Sequence, residues 1–305
     1  YFALLELLTM ILMGGLFVLL LRKTPMWLSG LVFLALATGS VIGSGYLFNT
    51  YYMLFSPVMI LLGSILIFGH TAFIEFYRQF KLRQQIKKQF ETYLDPRQVA
   101  LLQKNPELLK LGGERKEMTF LFMDICGFTP ISEHYKNNDD PEGLVELVNE
   151  FLNKMSNIIL DNGGTIDKYM GDCIMAFWNA PLPCENHAEL AVKSSIEIEK
   201  EVNELKRIYK ERNLPDISVG TGINSGDCIV GNMGSESRFD YSVIGDAVNL
   251  AARLEATAAR GDYIDYKTIV SEYTVSQLPD TYNKKSIGTI KVKGKEEEIK
   301  IYSVS

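Results

Sequence analysis

The sequence predicts an α+β domain, in which helices pack against a mostly antiparallel sheet, preceded by three transmembrane helices and a helical stalk. Charge is spread unevenly over the 305 residues, because residues 1–74 carry only three charged side chains. After them, short apolar segments typical of buried strands alternate with amphipathic helical patterns. We therefore expect a membrane part (1–74), a juxtamembrane helix and linker (75–113), and a C-terminal α+β domain (114–305).

Three apolar segments approach the ~20 residues that a membrane-spanning helix needs. They are Phe2–Leu21, Met26–Leu47 and Met53–Phe73. Basic residues follow the first and third segments, and no charge lies between the second and third, which predicts a cytoplasmic C-terminal domain in a multi-pass protein of the inner (plasma) membrane. The part of the protein before residue 1 would then lie outside. The alternative is three buried helices of a large soluble core.

A helix is predicted from Ile74 to about Tyr93, since apolar residues recur there at helical spacing. It contains five Lys or Arg side chains and no acid between Arg78 and Lys88. Two interpretations stay open: a dimeric signalling stalk, or a solvated juxtamembrane helix whose basic face meets anionic lipid headgroups.

Composition excludes several classes of function. The net charge of −6 is mild, and the C-terminal half has no basic patch with interleaved aromatics, so no nucleic-acid partner is expected. The four cysteines have neither CxxC nor zinc-ligand spacing, which indicates free thiols in a reducing compartment.

The C-terminal domain alternates strand and helix patterns. In chain order these are a strand at 118–124, a helix at 144–160, a hairpin at 165–169 and 173–178, a helix at 188–209, strands at 217–223 and 228–231, a helix at 247–259, and strands at 289–292 and 298–304. Asp124 ends the first strand and Asp172 lies in the hairpin turn. Acids at adjacent strand ends can hold divalent cations together with substrate phosphates.

Several ordered motifs resemble those of one family. They are FMDICGFT at Phe122–Thr129, DKYMGDCIMA at Asp167–Ala176, GINSG at Gly222–Gly226, YSVIGDAVNLAARL at Tyr241–Leu254 and VKGK at Val292–Lys295. Together they resemble class III adenylyl/guanylyl cyclases, which implies a ferredoxin-like or palm-type domain. The upstream apolar segments and short stalk are similar to bacterial membrane-anchored cyclases with an extracellular CHASE-type sensor.

The resemblance implies roles for named residues. Asp124, Asp172 and the Ile125 carbonyl would bind two Mg²⁺ (or Mn²⁺) ions, while backbone amides of Phe128 and Thr129 would meet the phosphates. No histidine lies in a core motif, which favours deprotonation of the 3′-hydroxyl at a metal over a histidine base. His187, at the start of a helix, is expected at the surface.

Two residues would read the base. Lys168 would reach the adenine ring, and Ser242 stands where the family has Asp or Thr. Its hydroxyl could accept from the adenine amino group or donate to a ring nitrogen. Guanylyl cyclases tend to place Glu and Cys at these two positions, so ATP is expected over GTP.

The remaining implied residues act on ribose and phosphates. Asn249 and Arg253, four apart on one helical face, would orient the ribose and stabilise the transferring phosphate. Lys293, with Lys295 as a rival, would contact the terminal phosphates.

The resemblance also implies an active site shared between two chains. The metal acids come from one subunit and Lys168, Ser242, Asn249 and Arg253 from the other, so a homodimer with two equivalent sites is expected. The predicted function is a membrane-anchored adenylate cyclase that makes cyclic AMP and pyrophosphate in signal transduction. The alternatives are a guanylate cyclase and a catalytically inactive regulatory module.

Overall fold

The computed structural model describes residues 2–24, 26–52, 57–93, 111–235, 237–291 and 298–305. Two compact units make up the chain, Tyr1–Tyr93 and Leu94–Ser305.

The first unit is helical. Its helices are α1 (Phe2–Lys23), α2 (Met26–Tyr51) and α3 (Pro57–Tyr93). Helix α1 packs closely on α3, since a Cβ added to Gly14 would lie 2.9 Å from the Cδ1 of Ile67. Helices α2 and α3 meet through the stacked rings of Phe33 and Phe68, whose centroids are 4.8 Å apart.

The predicted count of three transmembrane helices is wrong. Among the described residues one segment, Trp27–Tyr51 in α2, is long and apolar enough to cross a membrane by length and composition. In α1 the described residues contain a shorter apolar helical stretch, Leu7–Leu16. From Pro57 onward, the third apolar segment continues without a break into the charged residues after it, as one 37-residue helix. Apolar composition alone did not show where each helix begins and ends.

The second unit contains the α+β domain. Its elements are β1 (Gly112–Ile125), α4 (Phe128–Asn137), α5 (Pro141–Asp161), β2 (Thr165–Met170), β3 (Cys173–Trp178), α6 (His187–Glu211), β4 (Val219–Ser235), β5 (Arg238–Ile244), α7 (Asp246–Thr257), β6 (Thr268–Ser271), α8 (Glu272–Val275), β7 (Lys284–Lys291) and β8 (Glu298–Val304). Strands β5 and β6 were absent from the sequence prediction, and β4 replaces two predicted strands.

The strands form one sheet in the order β2-β3-β1-β4-β6-β8-β7, with β5 paired to β4. The sheet is mixed, because β6 pairs with β4 in parallel while the other pairs run antiparallel. This corrects the expectation of a mostly antiparallel sheet. Helix α7 connects the β4–β5 hairpin to β6, and this crossover returns the chain in the parallel direction.

Both faces of the second half of the central strand β1 are buried, from Met118 to Met123. Leu121 and Met123 face a core built mainly by α5 and α6. Phe120 and Phe122 face a second core, to which β5 and α7 contribute. Side chains alternate between the faces of a strand, so the continuous apolar segment MTFLFM places one set of residues in each core. Buried on both faces, β1 is a rigid support for the residue at its end.

Candidate active site

Asp124 and Asp172, here called the acid pair, lie at the same edge of the sheet. Asp124 is the penultimate residue of β1. Strand β3 pairs antiparallel with β1, with Met123 opposite Ile174, so the β2–β3 turn that carries Asp172 reaches the end of β1. Gly171 in this turn has φ 69°, a left-handed conformation that suits glycine. Two side chains 48 positions apart are thereby brought together.

The acid pair is short of positive charge. The pKa of Asp172 is raised to about 6, first by burial and then by the neighbouring Asp124, through charge repulsion and a hydrogen bond between the two acids. The backbone N–H of Ile125 acts in the opposite direction. Within the described part of the chain, the buried Oδ2 of Asp172 has no hydrogen-bond partner. A cation bound between the acids would offset the repulsion between them and would give the unpartnered Asp172 oxygen a ligand.

Arg260 contacts Asp124 of the acid pair, and the sequence did not predict this contact. Its Nη2 lies 3.3 Å from Oδ2 of Asp124, and its Nη1 lies 3.0 Å from Oε1 of Glu255. Its side chain stays 39% exposed. Arg260 follows helix α7 and lies in none of the motifs, so no sequence signal pointed to it.

The segment after the acid pair can bind phosphate. Gly127 has φ 72° and precedes the first residue of α4. This left-handed residue turns the chain directly from the end of β1 into the helix. The amides of Phe128 and Thr129 therefore belong to the first turn of α4, where N–H groups have no partner inside the helix and favour anions.

The two residues predicted to contact the base, Lys168 and Ser242, both contact a third residue, Asp167. Asp167 accepts a hydrogen bond from the Ser242 hydroxyl at 3.1 Å, and its Oδ2 lies 3.4 Å from the Lys168 ammonium. These three residues are called the Asp167 cluster below. Burial raises the pKa of Asp167, while Lys168 and Ser242 lower it. Sequence reasoning missed Asp167, although it begins the DKYMGD motif.

The predicted ribose and phosphate residues lie on α7. Asn249 is exposed and Arg253 half-buried. Helix α7 comes close to β4 because Gly222 has no side chain: a Cβ there would collide with the backbone N of Glu255. Lys293 and its rival Lys295 lie outside the described residues.

The chain matches the family described as adenylate and guanylate cyclase catalytic domain over residues 113–305. The chain belongs to this family. The class III cyclase predicted from the motifs is thereby confirmed, with a palm-type α+β fold whose sheet is mixed.

Relatives of the cyclase domain include adenylate cyclases from bacteria. Adenylate cyclase 1 of Rhizobium meliloti is 34% identical over 209 residues, which are 67% of this chain and 30% of the relative. The adenylate cyclase of Anabaena cylindrica is 36% identical over 203 residues, 65% of this chain and 39% of the relative. The chain thus spans about a third of the length of these relatives.

Solved structures similar to the cyclase domain include both nucleotide specificities. The adenylyl cyclase CyaB from P. aeruginosa is 37% identical with a TM-score of 0.58, covering 64% of this chain and 96% of that one. The guanylyl cyclase Cya2 is 33% identical with a TM-score of 0.57, covering 64% and 94%. Overall similarity therefore confirms the enzyme class. It does not distinguish ATP from GTP as the substrate, and that distinction depends on individual side chains.

The acid pair of the cyclase domain fits a divalent cation. Among the described residues no group of three or more His, Cys, Asp and Glu side chains could hold a metal. A magnesium site needs only one or two carboxylates, because substrate phosphates and water complete the shell. The unpartnered Asp172 oxygen and the mutual repulsion of the acids match this requirement.

His187 of the cyclase domain is buried, which corrects the expectation of a surface residue. Its Nδ1 lies 2.7 Å from the Thr119 hydroxyl, which is also 2.7 Å from the Ser225 hydroxyl. Burial lowers the pKa of His187 and favours its neutral form. The position of His187 at the start of a helix predicted an exposed side chain. In the structure, α6 packs against the sheet from its first turn, so His187 is buried.

Proposed function

We propose that the chain is a membrane-anchored adenylate cyclase, which converts ATP to 3′,5′-cyclic AMP and pyrophosphate at a homodimer interface in signal transduction. The observation that carries this proposal is the acid pair, with its uncompensated carboxylate, at the N-terminus of α4. The named adenylate cyclases at 34% and 36% identity support the same activity.

Divalent cations, two Mg²⁺ or Mn²⁺, would supply a Lewis acid that polarises the phosphates and favours loss of the 3′-hydroxyl proton. Asp124, Asp172 and the Ile125 carbonyl would hold them. The amides of Phe128 and Thr129 donate to phosphate oxygens, and this fixes the triphosphate relative to the acid pair.

Three further side chains complete the proposed site. Asn249 orients the ribose so that its 3′-oxygen faces the α-phosphate, and the Arg253 guanidinium stabilises the negative charge that develops there. Lys293 contacts the terminal phosphates and supports departure of pyrophosphate.

Base choice rests on the Asp167 cluster. A lysine donor and a serine hydroxyl match the edge of adenine, whose ring nitrogen accepts and whose amino group donates. Guanylate cyclase is the second candidate, favoured by the similarity to the guanylyl cyclase Cya2.

The direct test is turnover by the purified 305-residue chain, supplied with ATP and GTP separately in the presence of Mg²⁺ or Mn²⁺. We expect cyclic AMP, with a higher kcat/KM for ATP than for GTP. A higher kcat/KM for GTP would replace the proposal with its second candidate. Failure to cyclise either nucleotide under both metals would favour an inactive regulatory module.

The homodimer is tested by mixing two inactive variants. Asp124→Ala removes a metal ligand from one half of each site, and Arg253→Ala removes the phosphate contact from the other half. If the halves come from different chains, a mixture contains dimers with one intact site. Equal mixing should restore about a quarter of wild-type activity. A mixture as inactive as its components would contradict a shared site.

Membrane anchoring rests on α2, which is long and apolar enough to span a bilayer. We expect the expressed chain to stay in the membrane pellet after alkaline carbonate washing and to enter detergent. Release by carbonate would contradict an integral anchor. The cytoplasmic position of the cyclase domain and the upstream extracellular sensor remain predictions.

A further inference from the structure

Asp167 occupies an irregular position in strand β2. Ile166 pairs with Ala176 and Lys168 with Met175, so the register shifts by one residue and Asp167 is the extra residue of a β-bulge. A regular strand sends neighbouring side chains to opposite faces. A bulge breaks this alternation and re-aims side chains, which lets Asp167 and Lys168 meet although they are neighbours.

The carboxylate of Asp167 is placed where it costs stability. Its side chain is only 1% exposed, and burial raises its pKa. A buried charge is unfavourable unless it is paired and hydrogen-bonded. In the described part of the chain its Oδ1 has no partner, so the described contacts of this carboxylate go through Oδ2 to Lys168 and Ser242.

The bond to Asp167 decides what Ser242 can offer a ligand. A hydroxyl has one hydrogen to donate and lone pairs that accept. The Ser242 hydrogen points to Oδ2 of Asp167, so the side that remains can only accept. The Lys168 ammonium has three hydrogens and 46% of its side chain exposed, so it stays a donor.

An acceptor beside a donor selects one purine edge. Adenine presents an amino donor next to a ring nitrogen that accepts. Guanine presents a carbonyl acceptor next to a ring N–H that donates, so both of its groups would face the wrong partner. The sequence left open whether Ser242 accepts or donates, and the position of Asp167 resolves this choice.

We propose that Asp167 is a positioning residue for nucleotide choice, which makes Ser242 an obligate acceptor for the adenine amino group and holds Lys168 beside it. This inference rests on the proposed adenylate cyclase function. It also explains how Ser can replace the family's Asp or Thr as an acceptor. The buried carboxylate of Asp167 fixes the orientation of the Ser242 O–H group, which would otherwise rotate freely.

The test uses the full chain and two quantities, the KM for ATP and the inhibition constant of GTP against ATP turnover. In Asp167→Asn the amide can donate to Ser242, which frees the hydroxyl hydrogen to face the base. We expect the KM for ATP to rise about tenfold, the size of one hydrogen bond's contribution to discrimination. GTP should bind equally well or more tightly, and kcat should stay within about twofold.

Two further variants separate positioning from general damage. Ser242→Ala should lose the same preference, and the double variant with Asp167→Asn should lose less than the sum of the two single losses, because both substitutions remove the same Ser242 acceptor. Asp161→Asn removes an exposed acid at the end of α5, outside the Asp167 cluster, and should change neither quantity.

The outcomes distinguish the two proposals. If the wild-type chain makes no cyclic AMP, the proposed function fails and the role of Asp167 fails with it. If the wild-type chain makes cyclic AMP but Asp167→Asn keeps its preference for ATP over GTP, only the role of Asp167 is overturned. Additive effects in the double variant, or an equal loss of ATP and GTP affinity, overturn it as well.

Discussion

The acid pair and the Asp167 cluster are both built on partly or fully buried carboxylates, but they differ in where the compensating charge comes from. For Asp172, burial raises the pKa and the next contribution, from Asp124, raises it further. For Asp167, burial also raises the pKa, but the next contribution, from Lys168, lowers it. One site concentrates negative charge, whereas the other supplies its own cation.

This difference assigns the two sites different tasks. The acid pair is incomplete without an external cation, apart from the partial contact with Arg260, and so its properties depend on the metal and phosphates it binds. The Asp167 cluster contains its own cation, Lys168, and can present a fixed pattern of donor and acceptor. We therefore expect changes in the acid pair to abolish turnover of any nucleotide, and changes in the Asp167 cluster to alter which nucleotide is used.

The largest expected effect is that of Asp124→Asn. The substitution keeps the shape of the side chain but removes a charge that holds the metal, so kcat should fall by about a thousandfold for ATP and GTP alike. Cyclic nucleotide formation with saturating Mn²⁺ measures this. The control is Asp227→Asn, an exposed acid paired with Arg115. Loss for one nucleotide only would contradict the assignment.

Lys168→Glu should have the next largest effect, and a different one. The substitution places an acceptor against the ring nitrogen of adenine and a second acid beside Asp167. We expect kcat/KM for ATP to fall by about a hundredfold and that for GTP by much less. Lys154→Glu, which breaks an ion pair with Glu201 on the helical layer, should leave the ratio unchanged. Equal losses with both nucleotides would show that Lys168 does not read the base.

The acid pair could be predicted from sequence for a physical reason. Each acid lies in a short local motif, and a strand end and a tight hairpin turn are recognisable from residue types alone. Antiparallel pairing of neighbouring strands then brings the two together. Lys168 and Ser242 were predicted from the family resemblance and not from a local pattern.

Other features depended on information that no local pattern carries. The bulge at Asp167 is a register shift between two strands, visible only once they pair. Arg260 reaches Asp124 from 136 positions away through tertiary packing. Strand β6 has only four residues, too few for a periodic signal. Sequence thus located the candidate site residues better than their neighbours in the fold.

Removing a charge should change the stability of the metal-free chain by different amounts at the two sites. Asp172→Asn removes the repulsion within the acid pair and should stabilise the metal-free chain at pH 7. Water screens the half-exposed carboxyl, so we expect about 1 kcal/mol, or roughly 2–4 °C in Tm. Asp167→Asn should gain less, because its charge is already compensated. Calorimetry in EDTA measures both; a larger gain for Asp167→Asn would reverse the comparison.

The pH dependence of this gain has a defined sign. The pKa of Asp172 is raised from 3.8 to about 6, so its charge destabilises the folded chain above this range and not below it. The Tm difference between Asp172→Asn and wild type should be full above pH 6 and shrink towards pH 4. A difference that stays constant from pH 4 to pH 7 would assign the gain to something other than this carboxyl.

The smallest expected effect tests whether Arg260 partly replaces the missing cation. Its guanidinium lies 3.3 Å from Asp124 and competes with a metal for the same oxygen. Arg260→Gln should therefore lower the half-saturating Mg²⁺ concentration by about two- to threefold, a modest change because the side chain is partly exposed and solvent screens its charge. Arg207→Gln, which breaks an exposed pair with Glu204, is the matched control. A higher Mg²⁺ requirement would mean that Arg260 orients Asp124 for the metal and does not compete with it.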